Sequence, residues 1–140
     1  MTTSIDTNII VALWLKSDPL NRTAAELLER AHEAGELVIS APVFAELTGD
    51  PARNEAELSA FLVDTGVSVD WIMPEAAWRE AGRAFQGYIR RRRSGAGALP
   101  RHILTDFLIG AHAMVHGYRL LTFDRRLYAA AFPALTIVAK

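Results

Sequence analysis

The chain has no cysteine among its 140 residues. That excludes a disulfide-stapled scaffold, a thiolate zinc site and a cysteine nucleophile, and it removes any need for an oxidising compartment. No apolar run approaches the ~20 residues that cross a bilayer. The opening Met1-Thr2-Thr3-Ser4-Ile5-Asp6 places no basic segment ahead of an apolar one, so no signal peptide is read there. The expectation is a cytoplasmic protein with no membrane partner. An excess of one charge sign is also missing: 15 Lys and Arg stand against 16 Asp and Glu, for a net charge of −1. This excludes a polybasic nucleic-acid binder. It leaves room for a nucleic-acid enzyme whose acids hold metal while local arginines hold phosphate. Repeats and low-complexity tracts are absent. So is any loop of the G-x-G-x-x-G or G-x-x-x-x-G-K-S/T kind, which removes dinucleotide and ATP sites.

What is present is a hydrophobic share of 51% in a length typical of one domain, so residues 1–140 are read as a single domain. Short apolar runs alternate with helical patterns. Strands are expected at Ser4-Ile5 running into Asp6, and at residues 37–40, 67–72, 119–123 and 136–138. Helices are expected at residues 8–16, 19–34, 55–65, 74–92, 101–116 and 125–131, with another opening near Pro42 and containing Phe44 to Leu47. In the long helix, Ala77, Trp78, Ala81, Phe85 and Ile89 are expected to face inward, and residues 94–98 read as a surface loop. Strands separated by helices imply parallel pairing and helices on both sheet faces. The fold class is therefore α/β: a three-layer α/β/α sandwich with a mainly parallel five-stranded sheet. In such sheets ligands sit beyond the carboxyl ends of the strands, where strand order reverses.

Acids stand at those places. Asp6 ends the first strand, Asp124 ends the fourth, and Glu46 lies one turn into the helix after the second. Asp106 falls in the second turn of an otherwise apolar helix, too deep for an N-cap. Taken singly, Asp6 and Asp124 also read as helix caps and Glu46 as a surface acid. Taken together, they would crowd one cleft. Two carboxylates ~4 Å apart repel by about 4 kcal/mol at an effective dielectric near 20. Their pKa values must then rise, or a cation must sit between them. An all-oxygen set favours Mg²⁺ or Mn²⁺, and the fitting chemistry is metal-assisted phosphodiester hydrolysis.

At these residues a family resemblance emerges. Asp6-Thr7-Asn8, the segment Ser40-Ala41-Pro42-Val43-Phe44-Ala45-Glu46-Leu47, the segment Asp106-Phe107-Leu108-Ile109-Gly110-Ala111-His112-Ala113, and Leu121-Thr122-Phe123-Asp124 resemble, in order, four motifs of the PIN-domain ribonucleases. Within that family a compact chain of this kind is most similar to the VapC toxins of toxin–antitoxin pairs. The resemblance implies a PIN-like fold and a Mg²⁺- or Mn²⁺-dependent endoribonuclease that hydrolyses RNA with metal-activated water. It also implies inhibition by a cognate VapB-like antitoxin, and pairing as a homodimer. Carried over position by position, the catalytic and metal-binding acids are Asp6, Glu46, Asp106 and Asp124, supported by Thr7, Asn8 and Thr122. One position departs from the pattern: many relatives carry another acid two residues after the place of Asp124, and Arg126 stands here, which leaves a second ion site incomplete.

The remaining charges admit two readings. Arg90, Arg91, Arg92 and Arg93 form either a solvated helix end or a track for RNA phosphates. Arg125 and Arg126 oppose the dipole of the helix they open, which points more strongly to an anion near the site. His112 and His116 have a spacing that can bind zinc, but without HExxH or a thiolate they read as polar-face or interface histidines. His102 stands one helical turn before Asp106. Trp14, Trp71, Trp78 and Phe85 read as packing or interface residues. Two other functions compete. A phosphoryl-transfer domain wants Asp-x-Asp or acids accompanying Asp70, and finds neither; a PIN-like module that binds RNA or a partner without cutting would have little need of all four acids.

Overall fold

A computed structural model of the chain describes residues 1–93 and 103–138. The strands are β1 (Thr3–Ile5), β2 (Leu37–Ser40), β3 (Val67–Asp70), β4 (Arg119–Leu121) and β5 (Ile137–Val138). The helices are α1 (Thr7–Trp14), α2 (Asn21–Ala34), α3 (Ala41–Gly49), α4 (Glu55–Thr65), α5 (Glu75–Arg93), α6 (Ile103–His116) and α7 (Arg125–Ala131). The five strands form one sheet in the order β3-β2-β1-β4-β5, and every pairing is parallel. The expected α/β architecture is the observed one.

Helices connect the successive strands, so the pairing is parallel and the inner strands are covered on both faces. All three residues of β1 and all four of β2 are buried, as a strand sandwiched between helix layers requires. Ile5, Ile39, Leu120 and Leu121 from the sheet join Ile9 and Ile10 of α1 and Phe107 and Ile109 of α6 in one apolar core. Local signals set the helix ends. Asn54 caps α4 by accepting from the backbone N–H of Ala56 and Glu57 at 2.8 and 3.2 Å, and Gly66 closes it in the left-handed conformation at φ 74°. Gly110 serves packing instead: a Cβ there would run into the edge of the Phe132 ring, so only glycine lets α6 approach the end of α7 this closely.

Several boundaries differ from expectation, each for a local reason. β3 stops at Asp70 rather than residue 72, because the Asp70 carboxylate accepts the backbone N–H of Ile72 at 3.1 Å and turns the chain. Trp71 and Ile72 beyond it are exposed. α1 stops at Trp14 and α2 starts only at Asn21, whose amide donates to the carbonyls of Ala12 and Leu13 at 2.9 and 3.2 Å and so closes the end of α1. Trp78 corrects the inward assignment. It is 54% exposed, while the small Ala77 and Ala81 carry the buried stripe of α5. Phe85 and Ile89 are half-buried, with Phe85 packed 5.7 Å from the Phe107 ring. The loop expected at residues 94–98, the start of the helix expected from residue 101, and His102 lie outside the described residues. No helix among the described residues is long and apolar enough to cross a membrane.

Candidate active site

Strand order reverses between β1 and β4; Asp6 directly follows β1, and Asp124 lies three residues beyond β4. Asp6 caps α1: its Oδ1 accepts the backbone N–H of Thr7 at 2.7 Å. Its Oδ2 accepts the Thr122 hydroxyl at 2.7 Å, so both oxygens are fixed. The Thr122 oxygen in turn accepts the backbone N–H of Asp124 at 2.9 Å, and the Asn8 amide approaches it at 3.4 Å. The Asn8 carbonyl oxygen accepts the N–H of Phe123 at 3.2 Å. Thr7 reaches the other way and donates its hydroxyl to Glu46 of α3 at 2.6 Å. The three supporting residues thus lace β1, β4 and α3 together around the acids.

Asp6, Glu46, Asp106 and Asp124 line one cavity of about 490 Å³, together with Thr7, Asn8 and Asp18. Asp106 enters from α6 and is partly buried. Burial, opposed in part by its hydrogen bonds, pushes the Asp6 carboxyl up to about 6. Burial also lifts Asp106, and the charges of Asp6, Glu46 and Asp124 add to it, bringing its pKa to about 7. The crowding anticipated from strand ends is therefore physical. It is not a tight cage: among the described residues, no three of these carboxylates bring their oxygens within 4.8 Å of one another. Uncompensated like charges spread apart, and Mg²⁺ suits such a spread because it usually keeps several waters and takes one or two carboxylates directly.

The cap reading and the cluster reading of Asp6 and Asp124 prove compatible. Asp124 accepts the N–H of Leu127 at 3.4 Å while facing the cavity. Arg125 and Arg126 follow it, both exposed. Arg90, Arg91 and Arg92 are exposed near the end of α5, and the Arg92 guanidinium lies 5.8 Å from the Tyr88 ring. They do not line the acidic cavity. The side chain of Arg93 lies outside the described part of the chain.

Two residues of this region escaped the sequence reading. Asp18, in the turn between α1 and α2, lines the cavity while its carboxylate holds the N–H of Leu20 at 2.8 Å. Tyr128 of α7 is fully buried, its hydroxyl without a well-formed hydrogen bond among the described groups. Burial raises its pKa, and the charges of Asp6, Asp106 and Glu46 raise it further, so the phenol stays protonated beside them. Its place one helical turn after Asp124 was the available signal. His112 corrects another reading: it is fully buried, with no polar face to occupy.

The fold recurs in solved structures. VapBC2 from Rickettsia felis, bound to a DNA fragment from its promoter, aligns with a TM-score of 0.70 at 19% identity, covering 99% of this chain and 98% of that one. VapBC-1 from nontypeable Haemophilus influenzae aligns with a TM-score of 0.65 at 20% identity, covering 99% and 97%. VapC20 from Mycobacterium tuberculosis, described as a sarcin–ricin loop cleaving toxin, aligns with a TM-score of 0.61 at 21% identity, covering 91% and 94%. At these identities the likeness establishes the fold. Comparison with curated protein sequences finds no match. The sequence itself matches the PIN domain over residues 4–133, a span that contains all four acids. With that match and the parallel sheet of order 3-2-1-4-5, the chain belongs to the PIN-domain family.

Proposed function

We propose that the chain is a Mg²⁺- or Mn²⁺-dependent endoribonuclease acting as the toxin of a VapBC-type toxin–antitoxin pair. The observation that carries this reading is the shared cavity of Asp6, Glu46, Asp106 and Asp124, in which burial and like charge lift Asp6 and Asp106 far above ordinary carboxylates. Such a set is costly to keep bare and suits a hard divalent ion. Asp6 and Asp106 would hold the ion most directly, with Glu46 and Asp124 bound to it or reaching it through water. When bound, it supplies Lewis-acid activation of a water and of a phosphate oxygen. The chain's own groups do the positioning. Thr122 fixes one oxygen of Asp6, Thr7 turns Glu46 inward, and Asn8 holds the backbone that leads to Asp124. Arg125 and Arg126, exposed beside Asp124, are placed to take RNA phosphates.

The VapBC complexes among the structural neighbours support a VapB-like antitoxin as partner. Trp71, Ile72 and Trp78, 62%, 71% and 54% exposed, supply apolar surface for that partner or for a second copy of the chain. The cysteine-free composition suits the cytoplasm, where the RNA substrate is found.

The test is cleavage of total RNA by the purified chain with Mn²⁺ or Mg²⁺, followed by mapping of the new ends. Asp6→Asn abolishes cleavage while leaving the circular dichroism spectrum intact, and excess chelator abolishes it in the native chain. Undiminished cutting in either case overturns the assignment. RNA binding without any cleavage by the native chain identifies a non-cutting module instead. Replacing Arg125 and Arg126 by Ala weakens RNA binding and lowers its salt slope by roughly one for each phosphate that these arginines neutralise.

A further inference from the structure

We propose that Asp70, His112 and His116 form a second metal site, outside the acidic cavity, for a zinc-class transition-metal ion. Asp70 closes the edge strand β3, and His112 and His116 stand four apart on α6, so one helix face presents both rings to it. Oδ2 of Asp70 lies 2.7 Å from Nε2 of His112 and 3.8 Å from Nε2 of His116. One donor atom from each of the three residues falls within 4.8 Å of the others, and no other such group occurs among the described residues. None of the three lines the acidic cavity.

Hydrogen bonding assigns the ring protons. Nδ1 of His116 lies 2.8 Å from the backbone carbonyl of His112. A carbonyl only accepts, so Nδ1 carries a proton and Nε2 is the nitrogen that faces Asp70, free to give up any proton of its own for an ion. Ligating histidines are usually fixed in this way through their other ring nitrogen. Tyr118 stacks on the His116 ring at 5.2 Å and 22°, which holds its plane.

His112 would offer Nε2. Its ring is fully buried, Nε2 donates to Asp70, and Nδ1 has no partner. Taking an ion at Nε2 moves the ring proton to Nδ1, with no net change in protons. The protonation states also suit a metal. Burial pulls His112 down against its hydrogen bond to Asp70, and keeps the ring neutral. Burial alone would raise Asp70, but the hydrogen bonds from His112 and from the N–H of Ile72 outweigh it and hold the carboxyl below its ordinary range.

Two imidazoles and one carboxylate, without thiolate, select Zn²⁺ or its neighbours Co²⁺ and Ni²⁺ over Mg²⁺. The side chains of Asp70 and His116 are 25% and 26% exposed, which leaves the fourth tetrahedral position to solvent. A loaded site would clamp the edge of the sheet to the helix that carries Asp106.

The experiment takes the full chain, stripped with chelator and dialysed, and titrates it with Zn²⁺ by calorimetry and with Co²⁺ by visible absorption. An Asp6→Asn chain is measured in parallel to keep the acidic cavity out of the count. The expected result is one equivalent bound in the Asp6→Asn chain and retained by the native chain in excess Mg²⁺, with a tetrahedral Co²⁺ spectrum. His116→Ala, at a partly exposed position in the last turn of α6, lowers the affinity by at least about tenfold. Equal Zn²⁺ affinity with and without His116→Ala in the Asp6→Asn chain means an adventitious ion only and overturns the proposal, as does no binding at all. Ring nitrogen resonances of the native chain give the answer without any variant: saturation with Zn²⁺ shifts those of His112 and His116, and unmoved signals refute the site.

Discussion

Replacing Asp106 by Asn removes one negative charge from the acidic cavity while keeping the shape of the side chain. In the metal-free chain that change stabilises the fold. The folded pKa of Asp106 stands at about 7 against an ordinary 3.8, raised first by burial and then by Asp6, Glu46 and Asp124. A shift of about three units corresponds to about 4 kcal/mol at 1.36 kcal/mol per unit. Asp106 is only partly buried and solvent screens part of this, so about half, roughly 2 kcal/mol, is the expected gain. For a chain of this size that raises Tm by about 6–8 °C. The sign follows from proton linkage. A carboxyl whose folded pKa is raised costs nothing below the unfolded value, costs progressively more as pH climbs through the window from 3.8 to about 7, and costs a constant amount above it. The native and Asp106→Asn chains therefore melt together near pH 3.5 and diverge to their full difference at pH 8. Differential scanning calorimetry in chelator, at several pH values, reads this directly. Mg²⁺ or Mn²⁺ should then close the gap by stabilising the native chain more than the variant. Equal or lower Tm for the variant at pH 8 in chelator would refute the claim that these acids crowd one another.

Two further perturbations probe the scaffold of the site. Thr122→Val leaves Asp6 Oδ2 and the Asp124 N–H without the hydroxyl that now joins them at 2.7 and 2.9 Å. The expected loss is about 1–3 kcal/mol in urea denaturation, with Thr122→Ser recovering most of it, and an unchanged midpoint would show that water replaces the hydroxyl freely. Gly110→Ala drives a Cβ into the Phe132 ring and costs about 1–3 kcal/mol by the same assay. A paired Phe132→Leu change should restore part of that loss; if Gly110→Ala alone is neutral, α6 and α7 are less tightly fitted than their geometry indicates.

The parts of the molecule that were legible in the sequence are those set by local pattern. β1, β2 and β4 read as strands because short apolar runs stand between helical patterns, the first and last ending at acids, and their apolar residues are buried. Asp6 and Asp124 were found by position, since the residue after a strand in this topology faces the cleft. What local pattern cannot carry is the distance between elements. Periodicity placed Trp78 next to Ala77 on an inward stripe, but it does not give the stripe's width. The small Ala77 and Ala81 are the residues buried, and the indole is left outside. A histidine in an apolar helix looks like a polar-face residue, and the partner that explains the burial of His112 lies 42 positions earlier in the chain. The turn at Asp70, made by its own carboxylate on the N–H of Ile72, shortened a strand that β-propensity alone would extend. Tyr128 needed the docking of α7 before its phenol could be seen among the carboxylates.

The four acids come from positions 6, 46, 106 and 124, and β4, which delivers the last of them, inserts between β1 and β5. No fragment that stops short of this late strand holds the complete constellation. Until β4 docks beside β1, the cavity lacks Asp124, and Asp6 lacks the Thr122 hydroxyl that fixes one of its oxygens, so the last step of sheet assembly is also the step that completes the site.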